Sequence, residues 1–288
     1  MATQNMRVLL SFLLLPGLGA RLIDLSHDHG PDTIMAPGQP RYNWTVVFLG
    51  DILPTVYAET GAYFTGEHGG THIDAPAHFT KGGMRLEKVP IELTIADGCM
   101  IDVSTEAGQT PGYQVPLQKI LDWEQAHGEI PQKSAVIFNF GWSKYYTNRT
   151  QYLGTETEDV TKFVFPSVSR EAGLFLHTQR NIQIIGVDSL NPDAFSVNGQ
   201  LADGMPIHQN FLPNNKLIVE NLKGTEQLPA RGFRFHATPV KYVGGTGAQV
   251  RAFAMTYDRS DNSCDSVPAL WANVLLILTT VLIASILW

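Results

Sequence analysis

Eleven consecutive residues, His68 Gly69 Gly70 Thr71 His72 Ile73 Asp74 Ala75 Pro76 Ala77 His78, set three histidines and one carboxylate around two glycines and a proline. The chain has nine histidines in 288 residues, and core packing alone seldom concentrates three of them in such a window. Imidazole nitrogens beside a carboxylate oxygen are the donors of a zinc- or manganese-type site. A helix would place His68 and His72 on one face, as in HExxH proteases, but this segment resists a helix. Glycines lie between the histidines, Thr71 and Ile73 are β-branched, Pro76 follows, and no glutamate stands after the first histidine to serve as base. In an extended backbone positions 68, 72, 74 and 78 share parity and point to one side. His68, His72 and Asp74 then act as three ligands that leave a position open for water, the catalytic rather than the structural arrangement. His78, with an unperturbed pKa of about 6.5, suits the taking and returning of a proton.

Elements that could position these residues follow on either side. Apolar β-type runs occur at Leu22–Leu25, Thr45–Leu49, Met100–Val103, Ala135–Phe138, Ile182–Val187, Leu217–Val219 and Val250–Met255. Leu117, Ile120, Leu121 and Trp123 make a helical stripe within Gln114–Ala126, and Ser167 after Pro166 predicts the N-cap of a helix running to Arg180. Continuous apolar strands such as Ala135–Phe138 are of the fully buried kind. The expected fold class is therefore α/β, a mixed sheet with packed helices.

The composition, 44% hydrophobic and 16% charged with a formal charge of −7, is that of a globular chain. It has no dense cluster of Lys and Arg, so a nucleic-acid surface is excluded and a small-molecule partner is expected. The termini differ from the rest. Arg7, the apolar run Val8–Leu15 and the small residues through Ala20 predict a secretory signal over residues 1–20. Ala269–Trp288 carries no charge and follows the polar stretch Ser260–Ser263, so residues 261–288 read as a glycolipid-anchor signal or a transmembrane tail. With the sequons at Asn43 and Asn148 as glycosylation sites, the expectation is a domain over 21–260 on the extracellular face of the membrane, or else secreted. Only two cysteines occur, which excludes a disulfide scaffold. His27 and His29 are expected in a solvated turn before Gly30 Pro31.

HGGTHIDAPAH resembles the HxGTHxDxPxH signature of the cyclase family of metal-dependent hydrolases, which includes bacterial-type kynurenine formamidase and isatin hydrolase. The likeness continues through Leu22–Ser26, Pro37 Gly38, Gly186–Ser189, Ile218–Leu222 and Gly244–Ala252. It implies a swivelling β/β/α domain, a homo-oligomer, and hydrolysis of a carbon–nitrogen bond in an aryl formamide such as N-formylkynurenine or in an isatin-like cyclic amide. By the same resemblance His68, His72 and Asp74 are first-metal ligands, His78 is the acid/base, and Asp74 bridges to a second metal held by His208 and Glu220. One or two ions, zinc or manganese, are implied. Ala36 stands where formamidases of the family often carry a bulky aromatic, so Tyr42, Trp44, Phe48 and Tyr63 are candidates to line an aryl pocket instead. The alternative is a non-catalytic, membrane-attached ligand- or metal-binding protein on the same fold.

Overall fold

A computed structural model describes residues 20–257 apart from Asn198 and Asp203, and Arg21–Thr256 form one unit. The expected leader, Ala20 apart, and the expected tail lie outside the described residues. Eleven strands carry the argument below: β1 (Ala20–Asp24), β2 (Asn43–Leu53), β3 (Val56–Phe64), β4 (His72–Asp74), β5 (Ile95–Asp102), β6 (Ala135–Asn139), β7 (Ile184–Val187), β8 (Leu217–Glu220), β9 (Phe233–His236), β10 (Gly247–Gln249) and β11 (Phe253–Tyr257). Nine of them form one mixed sheet in the order β1-β11-β9-β5-β6-β7-β8-β4-β10.

The middle of that sheet, β5 through β8, is parallel. Every residue of β6, β7 and β8 is buried, the pattern of strands covered on both faces. One face carries Val136, Phe138, Ile185 and Ile218 into a core shared with three helices, α2 (Leu117–His127), α4 (Arg170–Thr178) and α5 (Pro206–Phe211). The other carries Ile137, Ile184 and Val219 into a second core closed by Ile73, Phe235, Ala248 and Ala254, which belong to the sheet's own outer strands. The sheet thus curls over its second core, and each fully buried aliphatic or aromatic side chain there stabilises the fold by about 1.5–3 kcal/mol.

Two further short helices, α1 (Ser104–Gln109) and α3 (Arg149–Leu153), add Ala107, Tyr152 and Leu153 to the first core. The mixed α/β class is as expected, with three local differences. The helix after Pro166 is capped by Ser169, whose Oγ accepts the Ala172 N–H at 3.2 Å, while Ser167 pairs in a short parallel bridge with Gln114. Val250–Met255 is not one strand; the chain breaks between β10 and β11, where Ser26 Oγ hydrogen-bonds the Val250 and Ala252 carbonyls. Thr45–Leu49 belongs to the separate hairpin β2–β3, which is outside the nine-stranded sheet.

Candidate metal centre and cavity

Register brings the cluster together. The short strand β4 lies antiparallel between β8 and β10, with Glu220 opposite His72 and Ile218 opposite Asp74. Paired residues of an antiparallel ladder share a face, so His72, Asp74 and Glu220 project to the helix side, where Ile218 is packed. The fourth side chain comes from α5. Asp193 accepts the backbone N–H groups of Ile207 and His208 at 2.8 and 3.1 Å, anchoring the helix start, and also takes the His208 Nδ1 proton at 2.8 Å. His208 Nε2 is thereby turned to the cluster.

The extended-segment expectation holds over three residues only. His68 lies in a bend before β4, separated from it by Gly70 at φ 62°, a left-handed conformation in which an added Cβ would meet the His29 ring at 2.8 Å. His78 arrives at the end of a 3₁₀ turn, Pro76–His78, because Pro76 cannot continue a central strand. Strand parity therefore aligns His72 with Asp74, while turns deliver His68 and His78.

Asp74 sits between the histidines. Its Oδ1 is 2.7 Å from His68 Nδ1 and 3.4 Å from His72 Nε2, and its Oδ2 is 3.3 Å from His208 Nε2. Glu220 reaches His72 Nε2 and His208 Nε2, each at 3.5 Å. His72 Nδ1 donates to the Gly70 carbonyl at 2.9 Å, which leaves its Nε2 lone pair directed at the carboxylates. All five residues are buried.

Burial pushes Asp74 upward, but His68, His208 and His72 outweigh it and hold its carboxyl well below the usual carboxylate range. Burial and the Asp74 charge raise Glu220 well above its ordinary value. Burial opposes protonation of His208, yet Asp193 and Asp74 raise it to about 10. His78 is lowered to about 4 by burial, against the pull of Asp74, with His68, His208 and His72 adding to the lowering. Neutral His78 thus stands beside a highly charged cluster, its ring stacked on His68 at 3.7 Å between centroids.

The donor set fits a divalent cation. Asp74 Oδ2 and Glu220 Oε1 are buried and receive no hydrogen bond although both approach His208 Nε2, and buried acceptors of this kind otherwise cost stability. His72, Asp74 and Glu220, or His68, Asp74 and His78, each offer three ligand atoms within 4.8 Å of one another. A cavity of about 430 Å³ opens over them, lined by His78, Phe79, Phe195, Met205 and Ala36 among others. That size suits a small organic molecule.

The Cyclase family model matches residues 23–194, more than half of the chain. The chain belongs to the cyclase family. Isatin hydrolase of Roseibium aggregatum is 28% identical over 265 residues, covering 84% of this chain and 96% of that protein. Kynurenine formamidase of Salinibacter ruber is 24% identical over 231 residues, covering 80% and 95%. The crystal structure of an isatin hydrolase bound to the product analogue thioisatinate superposes with a TM-score of 0.75 at 25% identity, covering 83% of this chain and 93% of the other. The relatives of this cyclase-family chain thus include an isatin hydrolase and kynurenine formamidases.

Several expectations change. The extracellular, membrane-attached or secreted address does not stand, because the relatives just described are bacterial enzymes matched over 80–84% of this chain. That address rested on the hydropathy of two terminal segments and on the sequons at Asn43 and Asn148. Nothing in the comparisons supports glycosylation. Asn43 is exposed at the start of β2, and Asn148 is the N-cap of α3, accepting the Gln151 N–H at 3.1 Å. His27 and His29 are half-buried rather than solvated, His27 stacked on Tyr146 at 3.6 Å and His29 Nε2 3.0 Å from Thr65 Oγ1. The aromatics at the cavity are Phe79 and Phe195; Tyr42, Trp44, Phe48 and Tyr63 do not line it.

Sequence reasoning did not find Asp193, Thr246 or Glu67. Thr246 Oγ1 contacts His68 Nε2 at 3.0 Å and Glu67 Oε2 at 2.5 Å. Glu67 directly precedes the motif and is a residue type able to support a histidine. Asp193 and Thr246 carry no local spacing signal.

Proposed function

We propose that this protein is an amidohydrolase that cleaves the C–N bond of an aryl formamide, N-formylkynurenine-like, or of an isatin-like cyclic amide. The observation that carries the reading is the position of neutral His78 in the wall of an aromatic-lined cavity directly beside the carboxylate–imidazole cluster. His68, His72, Asp74, His208 and Glu220 are the residues that would hold one or two divalent ions, zinc or manganese. Such an ion supplies polarisation of the scissile carbonyl and acidification of water. Phe79 and Phe195 hold the aryl ring by stacking and apolar contact. His78 takes the proton of the attacking water and returns it to the leaving nitrogen, so water adds at the carbonyl carbon as the C–N bond breaks.

The test is hydrolysis of isatin, N-formylkynurenine and formanilide by the zinc- and manganese-reconstituted protein. Turnover that disappears in His78→Ala is expected. Bound metal with no turnover on any of the three would instead support a ligand- or metal-binding protein on this fold.

The same reading includes a homo-oligomer. The hairpin β2–β3 exposes Trp44, Val46, Val47, Leu49, Ile52, Leu53, Tyr57, Tyr63 and Phe64, each more than half accessible. This amounts to on the order of 1,000 Å² of apolar surface if an aromatic contributes about 150–250 Å² when covered. Each partner in a standard interface contributes about 800 Å², and a free monomer rarely exposes so large a patch.

A further inference from the structure

His68 has a different partner on each ring nitrogen. Nδ1 faces Asp74 Oδ1 at 2.7 Å and Nε2 faces Thr246 Oγ1 at 3.0 Å. The Thr246 side chain is itself committed, because its hydroxyl donates to Glu67 Oε2 at 2.5 Å and its backbone N–H donates to the same oxygen at 2.9 Å. A hydroxyl has one proton. With that proton given to Glu67, Thr246 can only accept from His68, so Nε2 keeps its hydrogen, and Nδ1, whose proton is shared with Asp74 Oδ1 at 2.7 Å, is the nitrogen that can exchange its proton for a cation.

We infer that Thr246 and Glu67 are positioning residues that fix His68 as the Nε2–H tautomer and thereby present Nδ1 as a cation ligand. Three further features support this. Glu67 Oε2 is 4.0 Å from His68 Nε2, beyond direct hydrogen bonding, so the hydroxyl is a required intermediary. The Thr246 carbonyl accepts the Ala75 N–H at 2.8 Å, which ties the loop before β10 to the strand carrying Asp74. Gly247 next in sequence leaves room for the ring, since a Cβ there would stand 2.6 Å from His68 Cε1. The Glu67 carboxylate is 42% exposed, so it stays hydrated while it holds Thr246. Outer partners of this kind orient ligating histidines, and their loss costs about 10–100-fold in metal affinity.

This inference rests on His68 being a ligand, and its test separates the two ideas by reading metal affinity and tautomer without reference to turnover. Zinc and manganese affinities of the full chain would be measured by chelator competition, and the His68 ring tautomer by ¹⁵N NMR of the zinc-loaded protein. Thr246→Val should weaken binding about 10-fold or more and remove the single Nε2–H signature, while Thr246→Ser should restore both. Glu67→Ala, at a partly exposed site, should disturb the tautomer in the same direction and serves if Thr246→Val does not fold. Undiminished affinity and an unchanged tautomer in Thr246→Val, or in Glu67→Ala, would overturn the relay provided His68→Ala loses metal. Metal affinity unaffected by His68→Ala would instead overturn the ligand assignment on which the relay depends.

Discussion

The strands β4 and β8 and the hairpin β2–β3 both draw on β-branched side chains with an occasional acid, yet their environments are opposite. His72–Asp74 and Leu217–Glu220 are buried at every position. In β2 and β3 every residue except Gly50 and Ala58 is exposed. The difference lies in neighbours rather than in strand propensity. β4 and β8 have a strand on both sides, whereas β2 and β3 pair only with each other, and a two-stranded ribbon without a packing partner is marginal in water. Burial is what makes the acids of the first region chemically useful, because a carboxylate removed from water must be met by protons or cations. The acids of the hairpin, Asp51 and Glu59, are exposed and carry no such demand.

The largest contrast is expected from chemistry. His78→Ala should lower kcat on an aryl formamide or isatin by about 10²- to 10⁴-fold, the usual worth of a positioned acid/base, while metal content measured on the purified protein stays unchanged. His72→Ala should remove both. No substitution confined to the apolar hairpin should reproduce the first pattern, and one that did would place part of the catalytic machinery in the ribbon.

Stability should divide the same way. Phe138, fully buried in β6, should cost about 3–5 kcal/mol on truncation to Ala. Phe48→Ala in the hairpin should stay within about 0.5 kcal/mol when monomer unfolding is followed in urea. The hairpin matters instead for assembly: Leu49→Lys should reduce the mass seen by sedimentation equilibrium without moving the unfolding midpoint of the separated subunits. An assembly that ignores Leu49→Lys and Tyr57→Lys alike would leave the ribbon as a bare exposed element and remove the support it gives the oligomer.

Much of the buried region was legible. Donor types at 68, 72, 74 and 78 pointed to a metal site because chemistry at such a site is local in sequence, and the apolar runs at 135–138 and 217–219 marked the strands that frame it. The resemblance added His208 and Glu220, which no spacing rule would have joined to the motif. Asp193 and Thr246 stayed hidden for a physical reason. Each supports a histidine of the cluster through a contact spanning 15 or 178 residues, and only tertiary register brings them into reach. The cavity aromatics were misplaced for a related reason: Trp44, Phe48 and Tyr63 were near the motif in sequence, but the hairpin turns them outward. The terminal segments misled on address because hydropathy was read without a folded context.

The smallest effect expected concerns pH and His27. Burial, helped by the nearby Lys223 charge, lowers His27 from 6.5 to about 4 in the folded chain, and its neutral ring stacks on Tyr146. The unfolded chain therefore binds more protons between about pH 4 and 6.5, and stability must rise with pH across that window and be lost as pH falls through it. Above pH 6.5 the group is neutral in both states and contributes no slope. His27→Gln should flatten the acid limb of a plot of unfolding free energy against pH while leaving the plateau above pH 7 nearly level. The hairpin has no histidine and should contribute nothing in this window. An unchanged acid limb in His27→Gln would assign the proton uptake to other groups of the buried region, with the cluster around Asp74 first among them.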